Sequence, residues 1–318
     1  MHARRWGATL ATLVVLGAAC TGTTTSTSAA TSDPGIAAPV GGRLIDAVCA
    51  GASTTTAVAT VTAPELTEAS GIVASPDHPG VWWTHNDSGD TARFFAVRAD
   101  GTLAATATVA DATATDWEDI AMGPAVGASA IGAPALYLAD IGDNASARTE
   151  IVIHRVAEPD PARDAVVHDD QPLRLHYPDG PHDAEALIVD PDSGELVIVT
   201  KDWSLAGRSE VYRTSGSAMS DAPITLDHVA TVQLPVATLV TGADISADGT
   251  VVALRSYDGV RFYRRPAGAP LWQAFASEPC TVEIPGEKQG EAVGFAPDGR
   301  SIMTISEGTR PVLHRTAA

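Results

Sequence analysis

Residues 289–315 read QGEAVGFAPDGRSIMTISEGTRPVLHR, and the order of features in this stretch decides the fold. An apolar run opened by Gln289-Gly290-Glu291-Ala292-Val293 meets the turn Ala296-Pro297-Asp298-Gly299. A second apolar run, 302–305, returns from it, and a third, 312–315, ends in Arg315. Pro, Asp and Gly at the bend suit a tight hairpin, because Pro presets φ while Asp and Gly tolerate the turn backbone. The same order recurs upstream. Earlier copies open at Glu68-Ala69-Ser70-Gly71-Ile72, Asp116-Trp117-Glu118-Asp119-Ile120, Asp183-Ala184-Glu185-Ala186-Leu187 and Thr241-Gly242-Ala243-Asp244-Ile245. Turns follow at Ser75-Pro76-Asp77, Asp190-Pro191-Asp192 and Ala247-Asp248-Gly249. Second strands are expected at 81–84, 136–139, 196–200 and 251–254, and third strands at 94–98, 151–155, 210–213 and 261–264. Fourth strands are expected at 103–109, 173–177 and 228–234.

Short four-stranded units repeating every ~45–65 residues are the pattern of a β-propeller. The expectation is an all-β chain with five four-stranded blades. A sixth blade would have to hide within 118–183, and a two-sheet sandwich is the competing architecture. The last copy lacks a fourth strand, because the sequence stops at Ala318. Residues 55–62 form a strand ahead of the first copy, so they are expected to complete the last blade and close the ring.

Composition agrees with this picture. The 318 residues hold 45% hydrophobic side chains, enough for a core, and only 19% charged ones, with 28 Gly and 21 Pro. That balance favours short elements and many turns over long helices. With 39 acidic and 20 basic residues the formal charge is -19, which argues against nucleic acid as a partner.

The N-terminus reads as an address. Arg4 and Arg5 precede an apolar run, 8–19, that is short for a bilayer span and ends at Cys20. Residues 1–20 are therefore expected to be a signal peptide, with Sec and twin-arginine export both open. Gly17-Ala18-Ala19-Cys20 resembles a lipobox, making Cys20 the expected lipidated residue, although Leu16 sits one place early. Residues 21–45 read as a flexible tether and 46–318 as a single domain. The location expected is outside the cell membrane, lipid-anchored or secreted, with no other membrane contact and a monomeric state. Cys49 and Cys280 lie near the two ends of the domain, and export to an oxidising compartment favours a disulfide between them.

In a propeller the segments entering the innermost strands share one face with those leaving the second strands. That face should gather Glu68, Asp116, Glu118, Asp119, Asp183, Glu185, Asp244 and Glu291 with His85, Asp87, Asp140, Asp143, Lys201 and Arg255. Converging carboxylates need counter-charge, and hard oxygen ligands suit Ca²⁺ better than zinc. The metal ligands expected are Asp87, Glu118, Asp119, Asp140, Asp143, Glu185 and Glu291. Lys201 and Arg255 are expected either to pair with neighbouring acids or to hold a small anionic substrate, and His85 to act as acid or base. No Gly-x-Ser-x-Gly elbow, phosphate loop or dinucleotide fingerprint is present.

The motifs Ala69-Ser70-Gly71-Ile72, His85-Asn86-Asp87-Ser88-Gly89-Asp90, Asp116-Trp117-Glu118-Asp119-Ile120-Ala121 and Asp140-Ile141-Gly142-Asp143-Asn144 resemble those of a group of bacterial exported propellers. That group is loosely similar to phytase-like and gluconolactonase-like six-bladed propellers, and the resemblance spans about residues 64–315. Phytase-like membership implies Ca²⁺-dependent hydrolysis of phosphoric esters, and the lactonase-like alternative an enzyme with one central metal held by Glu185 or Glu291. The extended phytase motifs are absent. A non-catalytic propeller that binds a protein or glycan ligand at the cell surface is the alternative reading.

Overall fold

The computed structural model describes residues 40–125, 133–215, 220 and 222–318. The signal peptide, Cys20 and the tether as far as residue 39 lie outside the described residues. Helix α1 (Val40–Cys49) comes first, followed by β1 (Thr54–Thr60). Blade one runs outward from the axis through β2 (Ala69–Ala74), β3 (Val81–Asn86), β4 (Arg93–Arg98) and β5 (Leu103–Val109). Blade two begins with β6 (Trp117–Pro124), β7 (Pro134–Asp140) and β8 (Ile151–Ala157). The chain then crosses back, so that β9 (Ala165–Val167) pairs in parallel with β5, before β10 (Leu173–His176) returns to β8.

Blade three contains β11 (Ala184–Val189), β12 (Leu196–Thr200) and β13 (Arg208–Thr214). A short strand, β14 (Ile224–Thr225), joins β10 in parallel, and β15 (Asp227–Gln233) finishes blade three. Blade four is β16 (Val240–Ile245), β17 (Val251–Ser256), β18 (Gly259–Arg264) and, after a 3-10 helix at Leu271–Ala276, β19 (Cys280–Val282). Blade five is β20 (Gly290–Phe295), β21 (Ser301–Ser306) and β22 (Val312–Ala317), with β1 antiparallel to β22 as its outermost strand.

The protein is thus a five-bladed β-propeller closed by its N-terminal strand. Five sheets exclude both the sixth blade and the two-sheet sandwich. Blades one and two are five-stranded, because β9 and β14 each add a parallel strand that the repeat pattern did not show. The strands β2, β6, β11, β16 and β20 are buried along their lengths and pack side by side, with β20 returning to β2. Five apolar clusters fill the spaces between neighbouring blades, such as Phe94, Trp117, Ile120 and Leu138 between blades one and two. Each fully buried side chain of this kind stabilises the fold by about 1.5–3 kcal/mol.

Helix α1 corrects the tether boundary, since residues 40–45 are helical. Its early glycines, Gly41 and Gly42, masked the helical period. Leu44, Ile45 and Val48 enter the cluster between blades four and five, beside Phe262 and Phe295. The last helical residue, Cys49, is bonded to Cys280 on β19, with 5.1 Å between the Cα atoms. Among the described residues no helix is long and apolar enough to cross a membrane.

Candidate functional site

Each innermost strand slips register against the second strand at its start. The pairing shifts between Ala69 and Ile72, Trp117 and Asp119, Ala184 and Ala186, Val240 and Gly242, and Gly290 and Ala292. A β-bulge re-aims the side chain of its extra residue. The residues falling at these five equivalent points are Ser70, Glu118, Glu185, Thr241 and Glu291, a ring around one mouth of the axial channel. Where the residue is a hydroxyl it stitches neighbouring blades together. Ser70 Oγ donates to the Glu118 carbonyl, and Thr241 Oγ1 donates to the Gly290 carbonyl at 2.9 Å. Where it is Glu, the carboxylate joins an acidic cluster.

That cluster contains two groups of three residues whose oxygens lie within 4.8 Å of one another, the spacing needed to hold a metal ion. One is Asp87, Asp116 and Glu118, and the other is Glu118, Asp183 and Glu185. Glu118 belongs to both. It is only 2% exposed, and its carboxylate has no hydrogen-bond donor or ion-pair partner among the described residues. Such a group is costly to bury without compensation. Burial, reinforced by the Glu185 carboxylate, pushes Glu118 well above the usual range. Burial and the neighbouring Asp87 raise Asp116 to about 6, and burial with Glu185 raises Glu291 to about 8. The donors are all oxygens, and the backbone leaves them room. A side chain on Gly142 would run into the carboxylates of Glu118 and Asp116. The residues therefore fit a hard cation.

Of the expected ligands, Asp87, Glu118 and Glu185 fall in these two groups, Glu291 lies near Glu185 but in neither, and the others are set apart. Asp119, one residue beyond Glu118, is buried with its carboxylate on the backbone of three strands. Its Oδ2 accepts the Leu187 N–H at 2.9 Å and the Ala243 N–H at 3.1 Å, while Oδ1 accepts the Ile120 N–H at 2.9 Å. It ties β6 to β11 and β16 rather than binding metal. Both oxygens of Asp140 are occupied, accepting the Thr115 and Asp116 N–H groups, and Arg148 Nη1 lies 2.8 Å away. Asp143 Oδ2 accepts the Arg148 N–H at 2.7 Å. Asp140 and Asp143 thus build the loop that presents Gly142 and stand outside both triads. Asp244, expected on the same rim, instead accepts the Phe295 N–H at 2.6 Å and lines a cavity of about 370 Å³ beside the turns at Pro76, Pro191 and Pro297.

Of the three expected catalytic groups, two are buried within the blades and one stays at the mouth. His85 is fully buried, its Nδ1–H donating to the Asn86 carbonyl at 2.8 Å and its ring edge-on to Trp117. Burial lowers its pKa to about 4, so it stays neutral inside the blade. Arg255 is likewise buried, paired with Glu287 and filling the space that any side chain on Gly290 would take. Glu287 also accepts the Thr304 hydroxyl at 2.7 Å, and its other neighbour is His314 Nδ1 at 3.0 Å. Arg255 is therefore a buried ion-pair member, the first of the two roles expected for it, and its Nε and Nη1 have no hydrogen-bond partner. Lys201 stays at the mouth and pairs with Glu185, donating also to the Tyr257 hydroxyl at 3.2 Å.

Sequence reasoning placed Asp116 and Asp183 on the rim without making them ligands, and missed Trp203, Tyr257 and Glu287. Asp183 accepts the Asp143 N–H at 2.7 Å and the Trp203 indole N–H at 2.5 Å. Lys201 Nζ lies 4.9 Å from the Trp203 ring centre and 5.3 Å from that of Tyr257. The repeat pattern marked acidic and basic side chains at first-strand starts and after second strands, and passed over the aromatic ones. Tyr257 and Trp203 follow second strands, where their positions carried a usable signal. No protein-family model matches the chain, and no curated protein matches it.

Proposed function

We propose that the protein is an exported, lipid-anchored propeller whose acidic mouth binds Ca²⁺ and hydrolyses an ester, with phosphoric esters as the favoured class. One observation carries the reading: Glu118 is a buried, unpartnered carboxylate at the meeting point of two triads of metal-ligand spacing. Asp87, Asp116 and Glu118 would hold the cation, with Asp183 and Glu185 beside them. Oxygen-only ligands favour Ca²⁺ among the divalent ions of an exterior compartment. The bound ion would supply Lewis-acid polarisation of the ester and a more acidic water.

The chain's own residues do the rest. Glu291, with its proton held up to about pH 8, is the mouth carboxyl suited to moving a proton near neutrality. A cavity of about 400 Å³ adjoins the mouth, lined by His182, Asp183, Lys201, Trp203, Arg208 and Glu210. Lys201, Arg208 and His182 each lie against an acid there, Glu185, Glu210 and Asp179, so it is the bound cation that favours an anionic ester over an uncharged lactone. Export by the leader at 1–20 and lipidation at Cys20 complete the proposal. The test is turnover of aryl phosphate esters and lactones by the purified protein, with Ca²⁺ and with chelator. Chelator-sensitive phosphate release that Glu118→Gln abolishes supports the reading. Absence of Ca²⁺ binding refutes it. Ca²⁺ binding without turnover leaves the binding propeller, a reading favoured by the Trp203 indole, which is 50% exposed beside the cavity.

A further inference from the structure

The two triads at the mouth are not equally served. In the group Glu118, Asp183 and Glu185, every member except the shared Glu118 already has a donor. Glu185 takes the Lys201 ammonium, and Asp183 takes the Asp143 N–H at 2.7 Å and the Trp203 indole N–H at 2.5 Å. In the group Asp87, Asp116 and Glu118, Asp87 accepts only the N–H of its neighbour Ser88. Asp116 and Glu118 have no side-chain hydrogen-bond or ion-pair partner among the described residues. The nearest guanidinium, Arg148, is committed to Asp140 and to the Gly142 carbonyl.

We infer that Lys201 is a built-in cation that takes the place of a second metal ion, so that the mouth binds one divalent ion, at Asp87, Asp116 and Glu118. The inference rests on the metal-binding reading above and adds the number and place of the ions. The geometry around Lys201 supports it. Its side chain is 6% exposed, and its Nζ is enclosed by the Glu185 carboxylate, the Tyr257 hydroxyl at 3.2 Å and the faces of Trp203 and Tyr257. Carboxylate and aromatic faces together form a cage suited to an ammonium. A fixed charge there balances Glu185, and a divalent ion would have to displace it to use that carboxylate. The unserved Glu118 then has one side on which to accept a metal.

Two consequences separate this from a two-ion site. The first is stoichiometry: the wild type should bind one Ca²⁺ per chain, whereas Lys201→Met, which keeps the length and removes the charge, should bind two. The second is charge dependence: Lys201→Arg should keep one. Isothermal titration of the full chain with CaCl₂ after chelator treatment reads these numbers directly. Thermal unfolding of each variant with and without Ca²⁺ shows that it is folded and that the ion binds the native state. Asp87→Asn should weaken the single wild-type site at least ten-fold, and in the Lys201→Met background it should weaken one of the two. Two ions bound by the wild type, or one ion bound by a folded Lys201→Met protein, overturns the inference. No binding of Ca²⁺, Mg²⁺ or Mn²⁺ by the wild type overturns the metal reading itself, and this inference with it. Should Lys201→Met fail to fold, Lys201→Gln gives the same comparison, and the wild-type stoichiometry alone still decides between one ion and two.

Discussion

Replacing Asp119 with Ala tests the division of labour between two adjacent acids. Asp119 accepts three backbone N–H groups at 2.9, 2.9 and 3.1 Å, and two of the donors, Leu187 and Ala243, sit on other blades. A buried donor left without its acceptor costs about 1–3 kcal/mol. Losing the two cross-blade bonds therefore predicts a destabilisation of about 2–6 kcal/mol, with the Ile120 N–H adding less because it is local. For a domain of this size that corresponds to a fall in Tm of roughly 3–10 °C. Ca²⁺ binding should survive, because Asp119 belongs to neither triad. The assay is calorimetry of wild type and Asp119→Ala in chelator and in Ca²⁺, with binding measured below the lower Tm. A fall of less than 2 °C, or a folded variant that no longer binds Ca²⁺, refutes the structural assignment of Asp119.

Gly142→Ala should place a methyl group against Glu118 and Asp116, weakening Ca²⁺ binding at least ten-fold while changing the chelator Tm little; titration and calorimetry check both. The raised acids Asp244, at about 7, and Glu291, at about 8, keep protons that the unfolded chain has already lost above about pH 4. The stability they contribute is therefore present at low pH and falls as pH rises through about 7–8. Above pH 6.5 the opposing contribution of His85, neutral in the fold with a pKa of about 4, is flat. Denaturation in chelator should thus give lower stability at pH 8 than at pH 6.5, by about 1–2 kcal/mol, and Ca²⁺ should reverse the trend. Replacing both cysteines by Ser frees a 231-residue separation and should cost about 5 kcal/mol in the chain-entropy model, read as a lower denaturation midpoint under non-reducing conditions.

Blade number, ring closure and the disulfide were legible because each depends on patterns that survive in one dimension. Hairpin turns recur at Pro76, Pro191 and Pro297, a strand at the N-terminus lacks a local partner, and two cysteines flank the domain. The acidic mouth was legible as a set of residues but not as a site. Glu118 and Asp119 are neighbours, and a one-residue bulge decides which joins the acidic cluster and which meets backbone. Nothing in sequence spacing marks where a bulge falls. Arg255 was expected to pair with a neighbouring acid or to hold an anion, but its carboxylate, Glu287, comes from the loop before β20, where a lone Glu carries no signal. Parallel strands β9 and β14 escaped because they are three and two residues long and pair across blades or far along the chain.

The outermost strand of blade five is the first strand of the domain to be synthesised and its partner β22 the last. For the whole of synthesis β1 is an orphan edge, the kind of segment that recruits other chains. Its sequence, TTTAVAT, meets that hazard with four threonines and little apolar bulk, so waiting costs the chain little. The bond from Cys49 to Cys280 ties the residues just ahead of β1 to β19 of blade four, next to the blade that β22 and β1 complete. The ring is thereby a latch set by order of emergence, with the clasp made first and the catch made last.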